Sequence, residues 1–262
     1  MPPEDQSGMT LSLANTLLKL ELAGQTPNLA AANRHAIDRL PEGDPFYTFG
    51  IQSIGHHWQG KAPDREALAR LMARHLGQNE TEPFLEGPGT IEAEHAATQW
   101  RRALRKLDAL AALHGTLAIG TGHPGAMLGL YRAIARRFVQ GGGNFVAPAS
   151  GQVAAVDGWV DDLGRVAILS DGRGALHTHA TSVLDSTLVG RERVDLVIGD
   201  HGAAGAALNA GMACIAFMDT NDPALAVAQK IHGHELLVVP TYDNLTNART
   251  ASVCRAFPIP KS

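Results

Sequence analysis

Residues 116–125 read Thr-Leu-Ala-Ile-Gly-Thr-Gly-His-Pro-Gly, and an apolar segment of helical character follows them. A short apolar run that ends in glycines and passes into a helix is typical of a strand, a tight turn and a helix in an α/β protein. The same change recurs at residues 195–205, which read Asp-Leu-Val-Ile-Gly-Asp-His-Gly-Ala-Ala-Gly. We therefore expect a sheet whose strands end in polar, glycine-bearing turns.

Strand patterns recur along the second half of the chain and alternate with alanine-rich helical patterns. Strands are predicted at residues 116–120, 144–148, 166–170, 196–199, 214–218 and 236–239, and helices at 126–139, 181–189, 203–210, 224–231 and 245–257. This alternation predicts an α/β fold with a mostly parallel, doubly wound (Rossmann-like) sheet that helices cover on both faces. Residues 151–170 break the alternation and predict a small antiparallel hairpin inserted into the sheet.

The first part of the chain is helical in character. Helices are predicted at residues 9–23, 28–40 and 90–113, and Asp64 is expected to cap another helix. We therefore divide the chain into a helical N-terminal region, residues 1–114, and an α/β domain, residues 115–262, that carries the site. Apolar helices beside a complete sheet must bury their faces, so the N-terminal region is expected to form a lid or an interface. A homodimer is one way to form such an interface.

Composition excludes several classes of protein. The 262 residues are 45% hydrophobic and carry a net charge of −4 without a basic stripe, which argues against nucleic acid as a partner. No apolar run reaches the roughly 18 residues that a membrane span needs, and the N-terminus lacks a signal-peptide pattern, so a cytoplasmic location is expected. Two cysteines are too few for a disulfide framework or a zinc–cysteine cluster.

The first glycine turn has the form G-x-G-x-x-G and contains His123. Its members Gly120, Thr121, Gly122 and Gly125 are candidates for binding a phosphate, because glycines let the backbone approach an anion at a helix N-terminus. The alternative is a tight turn that needs glycine for its geometry. Dinucleotide binding requires an acid at the end of the next strand, and residues 146–148 read Val-Ala-Pro, so NAD is not expected.

The second turn places Asp200, His201 and Gly202 at the start of a helix. An acid and a histidine at the carboxyl end of a strand suit metal ligation or proton transfer, so both are catalytic candidates. In the alternative, Asp200 is only a helix N-cap and His201 lies at the surface.

A third polar segment contains Asp171, Arg173, His177 and His179. Residues two apart in an extended segment point to the same side, so the two histidines are expected to face one ligand together, His177 also as a catalytic group. Asp171 lies near enough in sequence to join them, and Arg173 is a candidate for a charge-assisted bond to phosphate. The alternative is a pair of surface histidines in a loop.

Two later strands also end in polar residues. Asp219 and Asn221 are candidate substrate contacts, whereas Asp222 is expected to cap the helix that Pro223 begins. Asp243 or Asn244 is expected to cap the helix predicted after residue 244. Of the adjacent residues His56 and His57, at most one is expected to reach the site, and His232 and His234 are expected at the surface.

The sequence leaves chemistry at phosphorus, or isomerisation of a phosphorylated molecule, as the remaining possibilities. It contains neither a G-x-S-x-G elbow nor a G-x-x-x-x-G-K-[ST] loop. Without a metal, His123 or His201 would act as nucleophile or general acid, and we favour this route because no helix carries two histidines and a carboxylate at ligand spacing. Alternatively, a divalent zinc, manganese or iron ion would activate water, held by Asp171, His177, His179, Asp200 and His201.

Four motifs carry a resemblance to a known family. They are Ile119-Gly-Thr-Gly-His-Pro-Gly125, Ile198-Gly-Asp-His-Gly-Ala-Ala-Gly205, Asp219-Thr-Asn-Asp-Pro-Ala224 and Asp243-Asn-Leu245. Over about residues 110–258, and in its helical first part, the chain resembles a bacterial family, found mostly in actinobacteria, that is known simply as phosphatase.

The resemblance implies hydrolysis of a phosphomonoester, which we take to be a small phosphorylated metabolite. It also implies a catalytic or phosphate-binding role for His123 and its glycine loop, with Asp200 and His201 as the partner motif. A sugar-phosphate isomerase or a phosphate-binding module that uses the same loops is the alternative.

Overall fold

The computed structural model describes residues 6–57, 64–79, 87–153, 158–189 and 194–246, together with Arg249 and Ser252. The described α-helices are α1 (Gln6–Lys19), α2 (Ala30–Arg39), α3 (Pro45–Thr48), α4 (Gln52–His57), α5 (Arg65–Leu76), α6 (Ala93–Ala112), α7 (Pro124–Gln140), α8 (Ser182–Leu188), α9 (His201–Asn209) and α10 (Pro223–His232). Short 3₁₀ helices span Leu40–Glu42 and Gly233–Glu235. The strands are β1 (Gly24–Gln25), β2 (Thr90–Ile91), β3 (Thr116–Ile119), β4 (Asn144–Phe145), β5 (Gly151–Val153), β6 (Gly158–Asp162), β7 (Ala167–Ser170), β8 (Ala175–Leu176), β9 (Leu196–Gly199), β10 (Cys214–Met218) and β11 (Leu236–Pro240).

The centre of the fold is a five-stranded parallel sheet with the order β11-β10-β9-β3-β4. Its strands β9, β10 and β11 are buried along their whole length, as expected for apolar strands in a parallel sheet. The chain enters at β3, adds β4 on one side and then builds outward from β9 on the other. The direction therefore changes between β3 and β9, and ligands of open α/β sheets bind at such a point. The mixed α/β class and the parallel sheet are confirmed, whereas helical cover on both faces stays a prediction.

The segment at residues 151–170 differs from the prediction. β7 does not join the parallel sheet, because it pairs with β6 and β8 in a separate four-stranded antiparallel sheet of order β5-β6-β7-β8. In the part of the chain that the structure describes, one bridge, between Gly120 and Ala167, links the parallel sheet to β7, and the Thr121 N–H donates to the Ala167 carbonyl at 3.0 Å. The prediction of a sixth main-sheet strand at 166–170 was wrong, and the inserted hairpin is a larger sheet.

Helix α5 begins and ends where elementary signals place it. The Asp64 carboxylate accepts a hydrogen bond from the Ala67 N–H at 3.1 Å, and Gly77 ends the helix with a φ of 75°, a left-handed conformation that favours glycine. The face that carries Leu68 and Met72 is buried. The predicted cap is therefore confirmed.

The N-terminal helices pack directly on the sheet. The Trp100 Nε1–H of α6 donates to the Thr241 hydroxyl at 3.1 Å, in a buried contact at the end of β11. The Asn28 amide, just before α2, donates to the Asp219 carboxylate at 2.8 Å at the end of β10. Buried apolar side chains from both sides of residue 114 form one continuous core. The domain boundary at residues 114/115 stays a prediction.

Among the described helices, none is both long and apolar enough to cross a bilayer. The predicted helix at 245–257 falls mostly outside the described residues, and so does the side chain of His56.

Candidate active site at the strand ends

Asp200 joins the two glycine turns that the sequence singles out. It follows β9 and is fully buried. Its carboxylate accepts hydrogen bonds from the Thr121 hydroxyl at 2.6 Å, the Gly122 N–H at 2.6 Å and the Tyr131 hydroxyl at 3.0 Å. Burial raises the pKa of the Asp200 carboxyl, and the donors of Thr121 and Gly122 oppose that rise. The turns after β3 and β9 are therefore neighbours, and a buried carboxylate holds them together rather than acting as a helix cap.

The glycines of these turns allow close packing. A Cβ on Gly122 would lie 2.0 Å from the Thr178 carbonyl oxygen, and one on Gly202 would lie 2.2 Å from the Ala180 carbonyl oxygen. The Gly122 N–H is used by Asp200, and the His123 N–H donates to the Thr121 hydroxyl at 2.9 Å. These two N–H groups bind protein oxygens, so the tight-turn interpretation accounts for them. Gly120 packs against Leu184 in the same way, whereas Gly125 has open space around it.

Four histidines meet beside Asp200. The ring of His123 stacks on His177 with centroids 4.6 Å apart, and His179 stacks on His201 at 4.4 Å. The Nε2 atoms of His177 and His179 lie 3.1 Å apart, as their alternation on one side of an extended segment predicts. The structure therefore brings together all four of the histidines that the three polar segments contribute.

Two further acids complete this group. Asp222 Oδ1 lies 3.7 Å and Asp243 Oδ2 lies 3.5 Å from His201 Nε2, and Asp243 Oδ2 lies 3.2 Å from His123 Nδ1. His201, Asp222 and Asp243 are all buried. Asp243 Oδ2, His123 Nδ1 and His201 Nδ1 are buried, and none of them has a hydrogen-bond partner among the described residues.

The electrostatics of this group follow from its burial. Burial and repulsion from Asp219 raise the pKa of Asp222 to about 8, and burial and repulsion from Asp222 raise the pKa of Asp243 well above its usual value. Burial and the neighbouring histidines lower the pKa of His201 well below its usual value. The site therefore favours a proton on the carboxyls and a neutral imidazole, or a cation that takes the place of the protons.

His201 has an unusual backbone. It is the first residue of α9 and has a φ of 40°, in the left-handed region that a side chain with a Cβ rarely adopts. Strain of this kind costs of order 1–3 kcal/mol and clusters at functional sites. Here it accompanies the placement of the imidazole between Asp222 and Asp243.

Other predicted site residues lie elsewhere. Asp171 is exposed in the turn between β7 and β8, where its carboxylate accepts hydrogen bonds from the Arg173 N–H at 2.9 Å and the Gly174 N–H at 2.8 Å. These bonds lower the pKa of Asp171. Arg173 is also exposed, and neither residue lines the pocket that contains the four histidines. The metal role given to Asp171 and the phosphate role given to Arg173 receive no support from this arrangement.

The polar residues that follow β10 have different roles from those predicted. Asp219 is buried and its carboxylate accepts from the Asn28 amide and the Thr220 N–H, whereas Asn221 lines the pocket. Asp222 occupies the N-cap position of α10 but makes no capping hydrogen bond, because its Oδ2 accepts from the Asp219 N–H at 2.9 Å. Sequence reasoning missed Asp222 and Asp243 as site residues, although their positions after β10 and β11 were a usable signal.

The pocket around these groups has a volume of about 320 Å³. The N-terminal helices supply part of its wall, since the Phe46 ring stacks on His179 with centroids 3.8 Å apart and Phe49 contacts His201. The lining residues are Ala32, His35, Ala36, Phe46, Tyr47, Phe49, His123, His177, His179, His201, Asn221, Asp222, Asp243 and Asn244. Among the described residues, this lining includes neither lysine nor arginine.

Comparison with known proteins gives the family. The sequence profile described as Phosphatase matches residues 9–254. The chain belongs to the Phosphatase family. A curated relative, Phosphatase SCO2771 from Streptomyces coelicolor (strain ATCC BAA-471 / A3(2) / M145), is 29% identical over 242 residues, which cover 90% of each chain. No solved structure matches the chain significantly. The predicted resemblance is confirmed, and the family match covers the N-terminal helices as well as the sheet.

This member of the Phosphatase family has a second, larger cavity of about 520 Å³ between α5 and α10. Basic side chains line it, including Arg70, Arg74 and Lys230. Arg70 is already paired with Glu66 at 3.3 Å and lies 3.7 Å from Asp64, in solvent-exposed contacts. The described lining of this cavity contains no buried carboxylate, since Asp64 is exposed. The smaller pocket is therefore the candidate active site.

Proposed function

We propose that this chain is a phosphatase that hydrolyses a small phosphomonoester. The site is the histidine-lined pocket at the carboxyl ends of the strands, which we call the strand-end pocket. One observation carries the proposal. His123, His177, His201, Asp222 and Asp243 come from separate turns and meet in a single pocket, in a chain that belongs to the Phosphatase family. The pocket lies outside the carboxyl ends of parallel strands, where ligands of open α/β sheets bind.

The size of the pocket supports a small substrate. A volume of about 320 Å³ is at the low end of the range for ligand sites and suits a metabolite rather than a folded phosphoprotein. Phe46, Tyr47 and His35 form a wall on the N-terminal side, which offers ring faces to the organic part of the ester. The phosphoryl group would then lie towards the histidines.

His123 is suited to protonate the leaving oxygen. Its Nδ1 lies 3.2 Å from the Asp243 carboxylate, close enough for the two groups to pair when substrate binds, which would leave Nε2 for the substrate. The imidazole N–H groups, and a cation that takes the place of the carboxyl protons, are the groups that can stabilise a phosphate dianion. The proposed chemistry is attack by water on phosphorus with cleavage of the P–O ester bond. His123 gives its proton to the departing alkoxide, and the proton that water loses restores His123.

The test is the release of inorganic phosphate from a panel of small phosphomonoesters by the purified chain. His123→Ala is expected to lower kcat by about a hundredfold or more, the usual contribution of a general acid. His234→Ala is the matched control, since His234 is exposed on the 3₁₀ helix Gly233–Glu235, and this variant should match the unaltered chain.

Three outcomes would overturn the proposal. Phosphate release by His123→Ala at the unaltered rate would remove the proposed acid. Tight binding of phosphomonoesters without phosphate release would favour a binding module, and interconversion of sugar phosphates would favour an isomerase.

A further inference from the structure

Three ligand-type atoms in the strand-end pocket have the spacing of a metal coordination shell. His201 Nε2 lies 3.5 Å from Asp243 Oδ2 and 3.7 Å from Asp222 Oδ1, and the ligand atoms of these three residues lie within 4.8 Å of one another. Ligands bound to a tetrahedral ion at about 2.0–2.2 Å are separated by about 3.3–3.6 Å. The two separations from His201 Nε2 need to change by at most a few tenths of an ångström, and the two carboxylate oxygens lie within 4.8 Å of each other.

The surroundings of these atoms are suited to a bound cation. Asp243 is only 3% exposed, and its Oδ2 has no hydrogen-bond partner among the described residues. Asp222 is oriented by the Asp219 N–H, which binds Oδ2 and leaves Oδ1 facing His201. Buried carboxylates are normally paired or bound to a metal, and the described lining of the pocket supplies no lysine or arginine.

The surroundings of His201 also fit a metal ligand. A metal-bound imidazole usually directs its second nitrogen towards a carboxylate or carbonyl, which fixes the ring. His201 Nδ1 lies 3.8 Å from Asp200 Oδ1, beyond hydrogen-bond distance and with no other partner among the described residues, so a small shift of the ring would bring it to the carboxylate that joins the two glycine turns. His123 and His177 form a second group with His201 on the open side of the pocket.

We propose that His201 Nε2, Asp222 Oδ1 and Asp243 Oδ2 bind one divalent transition-metal ion such as Zn²⁺. Three protein ligands with an open position are the pattern of catalytic rather than structural zinc. The proposal deepens the proposed function and rests on it for the chemical role of the ion, which is to polarise a phosphoryl oxygen or activate water. Of the predicted ligands it keeps His201, replaces Asp171 and Asp200 by Asp222 and Asp243, and leaves His177 and His179 beside the ion.

The test measures Zn²⁺ binding without substrate. The chelator-treated full chain is titrated with Zn²⁺ in competition with a chromophoric chelator, and bound zinc is counted by mass spectrometry after dialysis. We expect about one tightly bound ion per chain. His201→Asn and Asp243→Asn should each weaken binding at least tenfold, and Asn is chosen at position 201 because it tolerates the left-handed backbone.

Two further measurements separate a loss of zinc binding from a loss of folding. Asp243→Asn removes one of several buried acids that repel one another, so we expect its metal-free form to unfold at a urea concentration at least as high as the unaltered chain. Asp171→Asn makes the same chemical change in an exposed turn and should leave the zinc affinity unchanged. Co²⁺ in place of Zn²⁺ should give visible absorption bands that His201→Asn alters.

The outcomes separate the metal site from the phosphatase activity. Equal zinc affinity in the unaltered chain and in both ligand variants would overturn the metal site, and phosphate release at full rate by metal-free protein would overturn the chemical role of the ion. Zinc bound through His201 and Asp243 in a chain that hydrolyses none of the esters would support the metal site and overturn the proposed function.

Discussion

Asp200 shows how a single residue organises the site. Its carboxylate accepts hydrogen bonds from Thr121, Gly122 and Tyr131, so it ties the end of β9 to the turn after β3 and to α7. A carboxylate is suited to this position because it only accepts, and all three neighbours donate. Asp200 is a positioning residue, since its oxygens are engaged by the protein.

This arrangement predicts a graded loss of stability. Asp200→Asn replaces an acceptor oxygen by a donor and leaves buried hydroxyl protons without a partner, so the free energy of unfolding should fall by about 2 kcal/mol or more. Tyr131→Phe removes one of the three donors and should cost about 1 kcal/mol. Urea denaturation measures both. Equal stability of Asp200→Asn and the unaltered chain would show that the carboxylate does not hold the turns together.

Single residues also mark where sequence reasoning ends. The pattern G-x-G-x-x-G fits both an anion-binding loop and a tight turn, because both need the space that a missing Cβ leaves. Only the folded structure shows that Gly122 packs against the Thr178 carbonyl and that its N–H donates to Asp200. The pairing of His177 with His179 was predictable, since alternation in an extended segment fixes their common side.

At the level of elements, apolar runs were the most reliable signal. The predicted strands 196–199 and 214–218 coincide with β9 and β10, because buried parallel strands are short apolar runs between polar turns. β7 has the same composition but lies in the antiparallel sheet, since composition does not specify a strand's partner. Asp222 and Asp243 were interpreted as caps for a similar reason. The local sequence fits a cap, and only the strand order brings these residues next to His201.

His75 of α5 and His95 of α6 form a pH-sensitive contact away from the active site. Burial, together with the neighbouring His95 and Arg74, lowers the pKa of His75 to about 4, whereas an unfolded chain has a histidine pKa of about 6.5. The unfolded state therefore binds more protons between these values. The free energy of unfolding should fall as the pH drops from about 6.5 to about 4, by up to about 1.4 kcal/mol per pH unit for this one group.

His75→Gln should reduce that dependence. Urea denaturation at several pH values between 7 and 4 is expected to show a smaller loss of stability in the variant than in the unaltered chain. His234→Gln, at an exposed position, should leave the pH dependence unchanged. Identical acid sensitivity in His75→Gln and the unaltered chain would contradict the assignment.

At the scale of the whole molecule, the N-terminal helices and the parallel sheet share one buried core. The buried core is continuous from Leu13 to Tyr242, and Trp100 and Asn28 bond to the ends of β11 and β10. The N-terminal helices also supply one wall of the pocket, through Phe46 and Phe49. Their sequence shows an apolar character but not the surface that they cover.

This continuity predicts that residues 115–262 do not fold alone. Removal of α1–α6 would expose the apolar surface that these helices cover, including the contact of α6 with β11, and that surface stabilises the fold only when it is buried. Circular dichroism during urea titration should show no cooperative transition for the fragment, while the full chain shows one. A cooperatively folded fragment that releases phosphate would contradict the prediction and would place the whole site in the second region.

The most direct measurement is a crystal structure of the full chain grown with Zn²⁺ and inorganic phosphate, with anomalous scattering to locate the ion. We expect zinc at about 2.0–2.2 Å from His201, Asp222 and Asp243, with the phosphate bound to it on the side of His123 and His177. Zinc and phosphate in the basic cavity between α5 and α10, with the strand-end pocket empty of both, would contradict the account.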